Sequence, residues 1–307
     1  MFSWSVSTVG VADLDVALAL WEGEFGFEVA ARRNGPDPDL AALWGIHPDD
    51  ISAQALVRTP GLNLGMLHLV EFVDPDPPVR EGAQACDLCL KNLDVYTDDM
   101  PRRLAELRQR GRQFATDDYG EVTAPNGIRF REIHMPSHDR INVVLLQLLG
   151  ETLPVSSRGF SGIGLLIAIV PDAEAEKNFF RDVMGLDLLS DNILQGPEIE
   201  KMIGLPAGSA LNVSIWGSAD DDFGRMELIE YRGVKGNDLY PAAKPKALGL
   251  LHVAYAMDDL RPLREKLESA GIGFDEIASG RTLYADSPML SIRSPGGVHL
   301  YVYQQRG

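Results

Sequence analysis

The sequence repeats itself, and this repeat constrains the fold more than any other feature. Val11-Ala12-Asp13 and Val170-Pro171-Asp172 each follow an apolar run and open an amphipathic segment that ends at Gly26 or Gly185. The second part of each half repeats with an offset one residue larger. A collinear series of matches indicates a tandem duplication. Other matched segments are 43–46 with 202–205, 68–72 with 227–231, 97–100 with 257–260, and Pro125-Asn126-Gly127 with Pro295-Gly296-Gly297.

Each half contains a smaller unit twice. An apolar strand leads to an Asp, then to a helix, a Gly and several short strands, with openings at 4–11, 88–96, 163–170 and 250–257. The Asp carboxylate can accept from free N–H groups at a helix start, and Gly suits the left-handed position after a helix end. The pattern predicts four βαβββ modules.

The fold class expected from these modules is α+β, with two tandem domains. Each domain is a pair of βαβββ modules that forms a curved mixed sheet around a cleft. A composition change near residue 150 divides the chain into 1–150 and 151–307. The sequence leaves open whether modules pair in chain order or exchange partners, and exchange would redraw the site.

Charge limits the classes of partner. Lys and Arg total 28 and Asp and Glu total 45, which gives a net charge of −17. Such a chain repels nucleic acid and anionic membrane surfaces, so neither is expected as a partner. The N-terminal residues carry no signal-peptide pattern, and a cytoplasmic location is expected. A homodimer is compatible with the sequence. The two cysteines, Cys86 and Cys89, open a predicted strand and are expected to be structural.

Three segments carry a family resemblance, namely 226–231, 251–260 and 294–301. With the four modules, they make the chain resemble the vicinal oxygen chelate superfamily, which includes glyoxalase I, methylmalonyl-CoA epimerase, extradiol dioxygenases and bleomycin-resistance proteins. The resemblance implies a cleft whose floor holds a divalent metal, bound by side chains from the first and last strands of paired modules. Iron, manganese, zinc and nickel are the candidate ions.

The family's ligand positions can be transferred residue by residue. The resemblance implies that His252 and Glu227 form the site of the C-terminal half, as metal ligands or as a catalytic acid and base. Tyr301 would assist as ligand or proton donor, and His299 is a substitute ligand. The N-terminal half has a degenerate site, in which His68 and Arg131 would contact substrate. The first-strand positions are Val6, Asn92, Leu165 and His252, and the last-strand positions are His68, Arg131, Glu227 and Tyr301.

Two functions follow from the resemblance. The first is an enzyme of the vicinal oxygen chelate type, an isomerase, lyase or ring-cleaving dioxygenase, that acts on a small oxygenated metabolite such as an aromatic or keto–enol compound. The second is a metal-free protein that sequesters a ligand, like the bleomycin-resistance branch. The absence of metal ligands at Val6, Leu165 and Arg131 favours the second, and the pair Glu227 and His252 favours the first.

Overall fold

The computed structural model describes residues 3–124 and 127–305, so Met1, Phe2, Pro125, Asn126, Arg306 and Gly307 lie outside the described residues. The strands are β1 (Val6–Val11), β2 (Glu28–Asn34), β3 (Ile51–Arg58), β4 (Met66–Phe72), β5 (Asp76–Pro78), β6 (Leu90–Thr97), β7 (Gly120–Thr123), β8 (Arg129–Pro136), β9 (Asn142–Leu148), β10 (Phe160–Ile169), β11 (Asp187–Gln195), β12 (Ala210–Gly217), β13 (Arg225–Arg232), β14 (Ala247–Met257), β15 (Phe274–Arg281), β16 (Asp286–Arg293) and β17 (His299–Gln304).

Helices lie between these strands. The α-helices are α1 (Leu14–Leu18), α2 (Pro38–Trp44), α3 (Met100–Gln109), α4 (Ala173–Asn178), α5 (Pro197–Ile203) and α6 (Arg261–Ser269). Helices α1 and α4 continue as π-helical turns, Ala19–Glu24 and Phe179–Val183. Short 3₁₀ turns cover Pro48–Asp50, His138–Arg140 and Tyr240–Ala242. Among the described residues, no helix is long and apolar enough to cross a membrane.

The strands form two mixed sheets, which confirms the α+β fold class. One sheet has the order β15-β16-β17-β14-β1-β4-β3-β2, with β5 beside β14, and the other has the order β11-β12-β13-β10-β6-β9-β8-β7. In each sheet, two first strands lie side by side and antiparallel, β1 with β14 and β6 with β10. Each first strand also pairs in parallel with the last strand of its own module.

The modules exchange partners along the chain. Module 1 (β1–β4) shares a sheet with module 4 (β14–β17), and module 2 (β6–β9) shares a sheet with module 3 (β10–β13). Strand β10 pairs with β6, and β14 pairs with β1. Each sheet therefore combines strands from both sides of residue 150. We call the concave face of the module 1–4 sheet cleft A and that of the module 2–3 sheet cleft B.

The helix-start and helix-end predictions are confirmed. Asp13, Asp99 and Asp172 each accept a hydrogen bond from the backbone N–H three residues later, and Asp259 accepts from the N–H of Arg261. The glycines after these helices adopt positive φ; Gly26 has a φ of 73°. These residues fix where each module turns from strand to helix, and they carry no chemistry of the cleft.

One core supports both clefts. Aliphatic residues on the sheet faces opposite the clefts, such as Leu69 and Leu228, pack with helix aromatics such as Trp21 and Phe180. Burial of this apolar surface is the main stabilising contribution. Cys86 and Cys89 are free and buried, as expected of structural cysteines.

Candidate functional site

Cleft B contains a cavity of about 540 Å³. Its floor comes from β6, β10 and β13, whose residues alternate between the core and the cleft. Ile167 of β10 lies in register with both Asn92 of β6 and Glu227 of β13, so these side chains share the floor. One wall is polar and comes from β6 and β8, and the other is apolar and comes from module 3.

Glu227 is a half-buried carboxyl group on this floor. Burial raises the pKa of Glu227 to about 7, and the charge of Glu132 across the cavity adds to the increase. The charge of Lys91 acts in the opposite direction. A carboxyl group with a pKa near neutrality can both accept and return a proton at physiological pH. Glu227 is therefore suited to acid–base chemistry.

Asp94 is a second carboxyl group of the same cavity and is 5% exposed. Burial holds the pKa of Asp94 well above its usual range, and the charges of Glu227 and Glu132 raise it further. Its Oδ1 atom has no hydrogen-bond partner among the described residues. The raised pKa favours the protonated form of Asp94, which can donate a hydrogen bond into the cavity.

A hydrogen-bonded chain connects β8 to the floor. His134 Nε2 lies 2.9 Å from Glu132 Oε1, and His134 Nδ1 lies 2.8 Å from Asn142 Nδ2. The Asn142 amide also donates to Asn92 Oδ1 at 3.0 Å. The chain orients the Asn92 amide and the Glu132 carboxylate, which borders the cavity near Glu227. It therefore positions the charge that tunes Glu227.

Cleft A holds the histidines. Thr8 of β1 lies in register with His68 of β4 and with His252 of β14, so the three residues are neighbours on one face. The His252 ring lies 4.8 Å from Tyr301 and 5.5 Å from His299, centroid to centroid. Burial lowers the pKa of His68 to about 3 and holds the pKa of His252 well below its usual range. Both imidazoles are therefore neutral near pH 7.

Aromatic side chains close cleft A over these histidines. The Trp44 ring lies 6.4 Å from His68 and 5.8 Å from His252, and Tyr284 packs edge-on against His68 at 5.5 Å. His68 is fully buried and His252 is 4% exposed. A cavity of about 550 Å³ lies farther along this sheet, beside Met66 and Tyr303, and neither histidine lines it. The His68–His252 pair is thus shut off from solvent.

The residues of neither cleft fit the metal that the family resemblance implies. Cleft A offers the imidazoles of His68, His252 and His299 and the phenol of Tyr301. Burial raises the pKa of Tyr301 to about 12, so this phenol stays protonated. Cleft B offers only Glu227 and Asn92 at the corresponding positions. Over residues 3–124 and 127–305, no three His, Cys, Asp or Glu side chains are arranged to hold a metal ion.

The two residues that the sequence predicted to form one site lie apart in the structure. His252 lies in cleft A and Glu227 in cleft B, so the expectation that they share a metal or act as one acid–base pair is wrong. The reason is the exchange of module partners. Tyr301, His299 and His68 do gather around His252, as exchange would require.

Arg131 does not occupy a last-strand position. It lies in β8, the strand before the last, and its guanidinium donates to Glu121 and to Gln147. The last strand of module 2 is β9, where Val144 stands opposite Asp94. The match of Pro125-Asn126-Gly127 with Pro295-Gly296-Gly297 caused this error, because the first precedes β8 and the second precedes the last strand. Pro125 and Asn126 themselves lie outside the described residues.

Several cavity residues were missed from the sequence. Asp94 follows Asn92 at strand spacing, and Glu132 and His134 show the same spacing in β8. Because alternate residues of a strand share a face, this spacing predicts that Asp94 lies in the cleft if Asn92 does. His134 lies within β8, which ends at Pro136.

Comparisons with known proteins agree on the fold. Glyoxalase I from Zea mays superposes with a TM-score of 0.66 at 14% identity, covering 99% of this chain and 92% of that chain. A candidate dioxygenase from Bacillus subtilis superposes with a TM-score of 0.64 at 12% identity, covering 100% of this chain and 86% of that chain. No family model and no curated protein matches the sequence. The chain therefore has the fold of the vicinal oxygen chelate superfamily.

Proposed function

We propose that this protein is an enzyme that moves a proton on a small oxygenated metabolite in cleft B. The observation that carries the proposal is Glu227, a carboxyl group on the floor of a cavity of about 540 Å³ with its pKa raised to about 7. Perturbed carboxyl groups in a cleft favour catalysis over a purely structural role.

The reaction class we propose is isomerisation through an enol or enolate. Glu227 takes a proton from the carbon next to a substrate carbonyl. The electron pair of that C–H bond forms a carbon–carbon double bond, and the π pair of the carbonyl moves onto its oxygen. Protonated Asp94 donates a hydrogen bond to that oxygen and stabilises its charge. Return of the proton from Glu227 to a different carbon of the conjugated enolate completes the isomerisation with no change in redox state.

A second function uses the same cavity without chemistry. The corresponding last-strand and first-strand positions of cleft B hold Val144 and Leu165, whose side chains are aliphatic. Such a floor favours ligand capture, as in a sequestering protein. The two functions differ in one respect, because only the enzyme exchanges substrate protons with solvent.

Proton exchange in D₂O tests the proposal. The probe is 2-oxo-4-phenylbutanoate, whose C3 protons lie next to a ketone, and loss of their NMR signal is followed at pH 7. We expect the wild-type protein to accelerate the exchange and Glu227→Gln to slow it by about 10²- to 10⁴-fold.

Glu230→Gln is the matched control. Glu230 lies three residues farther along β13, outside the cavity lining, and its carboxylate accepts from Asn212. This variant should exchange the probe at the wild-type rate. If the protein binds the probe but exchanges its protons no faster than background, the enzyme proposal is wrong and ligand capture is the function supported.

A further inference from the structure

We propose that cleft B selects molecules that carry a carboxylate at one end and an apolar group at the other, with Lys91 and Arg80 receiving the carboxylate. The inference rests on the proposed function for its choice of cleft. It adds the chemical class of the ligand and the residues that determine specificity.

Both cations border the cavity without a carboxylate partner. The Lys91 ammonium donates to the Tyr231 hydroxyl at 2.9 Å, and the Arg80 guanidinium donates to Cys89 Sγ and to the Gln84 carbonyl. Within the described ranges, neither forms an ion pair with Asp or Glu. The chain has 45 acidic residues against 28 Lys and Arg, so two unpaired cations at one cavity are a distinctive arrangement.

A β-bulge directs Lys91 into the cavity. Ile167 of β10 pairs with Asn92, and the next residue, Ala168, pairs with Leu90, so Lys91 is an extra residue in β6. A bulge interrupts the alternation of a strand and re-aims a side chain. Lys91 and Asn92 consequently both line the cavity, although they are adjacent in sequence.

Lys91 is partly buried, so its charged form is disfavoured unless an anion binds beside it. Burial lowers the pKa of Lys91 to about 8, and the nearby charge of Arg80 contributes to the decrease. A buried ammonium is stabilised when a carboxylate accepts its hydrogen bonds. A bound carboxylate would therefore offset the desolvation of Lys91 and interact with Arg80 at the same end.

The wall contributed by module 3 accounts for the apolar end of the ligand. It consists of aliphatic side chains from β11, β12, β13 and α5, namely Leu194, Leu211, Val213, Ile229 and Ile203. A surface of this kind binds a hydrocarbon or aromatic group by removing it from water. Glu227 lies on the floor beside both walls. The reacting carbon of a substrate would thus stand close to its carboxylate.

A matched pair of probes tests the inference, with binding of 4-phenylbutanoate and its uncharged amide, 4-phenylbutanamide, measured by calorimetry at pH 7. We expect the wild-type protein to prefer the acid by about 10-fold or more, because a hydrogen bond to a charged group contributes that much. Lys91→Met should remove the preference while the affinity for the amide persists, and Lys91→Arg should restore it. Lys246→Met, which removes an ammonium paired with Asp50, should leave the preference unchanged.

Several results would overturn the inference. The wild-type protein could bind the acid and the amide equally, or bind neither probe. Alternatively, Lys91→Met could lose affinity for both probes to the same extent. The proposed function fails separately, because it depends on proton exchange and Glu227. Selective binding of the acid without exchange leaves the inference standing, and exchange without preference for a carboxylate leaves only the function standing.

Discussion

Clefts A and B have the same strand framework and differ in what their corresponding positions hold. The positions that carry His68 and His252 in cleft A carry Glu227 and Asn92 in cleft B. Each cleft also has a bulge in a first strand, at Leu251 in cleft A and at Lys91 in cleft B. One cleft thus presents neutral imidazoles beside an apolar bulge residue, and the other presents carboxyl groups beside a cation.

The clefts differ in access as well. Trp44 at the end of α2 covers the histidines of cleft A, whereas Ile203 at the end of α5 borders the open cavity of cleft B. The histidines of cleft A are thus covered, although a cavity of about 550 Å³ lies farther along that sheet, whereas Glu227 of cleft B lines a cavity. A shared fold therefore does not identify the working site, and the side chains at each cleft do.

The largest expected effect comes from placing in cleft B a tryptophan equivalent to Trp44 of cleft A. The quantity affected is the binding of a ligand in cleft B. Ile203→Trp places an indole at the border of the 540 Å³ cavity. The indole occupies space that the ligand needs, at a cost of about 1–3 kcal/mol, so we expect binding of 4-phenylbutanoate to weaken by about 10- to 100-fold. Calorimetry measures the change.

Trp44→Ile is the reciprocal variant. It uncovers His68 and His252, so both should react faster with diethyl pyrocarbonate, while binding of the acid probe stays at the wild-type value. Weaker probe binding in Trp44→Ile would place the ligand in cleft A and would reverse the comparison.

A smaller effect concerns the dependence of stability on pH. The pKa of His68 is about 3 in the folded protein against 6.5 for a free histidine. Below pH 6.5 the unfolded chain binds a proton that the folded protein does not, so the free energy of unfolding falls as the pH falls. From pH 6.5 to about pH 5 the loss is roughly 2 kcal/mol for this residue.

His68→Leu should remove this part of the pH dependence, as measured by urea unfolding at several pH values. His47→Leu provides the control, because the His47 side chain is exposed and its removal changes no buried imidazole. An unchanged slope in His68→Leu would show that the imidazole of cleft A is in contact with water, contrary to the closed cleft described above.

Much of the fold could be predicted from the sequence because its signals are local. The Asp and Gly at each module boundary follow from the needs of helix ends, and the four modules follow from the internal repeat. Pairing of modules is not local. It depends on which first strand comes to lie beside β6 and β1, and no pattern within β10 or β14 distinguishes those choices.

The candidate site likewise combines features that local sequence predicts with features that depend on long-range contacts. Glu227 and His252 were identified by position, but their separation into different clefts follows from long-range pairing. Asp94 and Lys91 gain their properties from burial and from a bulge that appears only when β6 meets β10. The pKa of a carboxyl group likewise depends on neighbours distant in sequence, such as Glu132 for Glu227.

The measurement that tests the account most directly is a ¹³C NMR titration of the Glu227 side-chain carboxyl group, assigned by comparison with Glu227→Gln. The account predicts a pKa of about 7. It also predicts a lower pKa in Glu132→Gln, because that substitution removes a neighbouring negative charge. A Glu227 pKa near the ordinary 4.5 would contradict the account, since the carboxyl group would then be a solvated anion and cleft B would lack its acid–base residue.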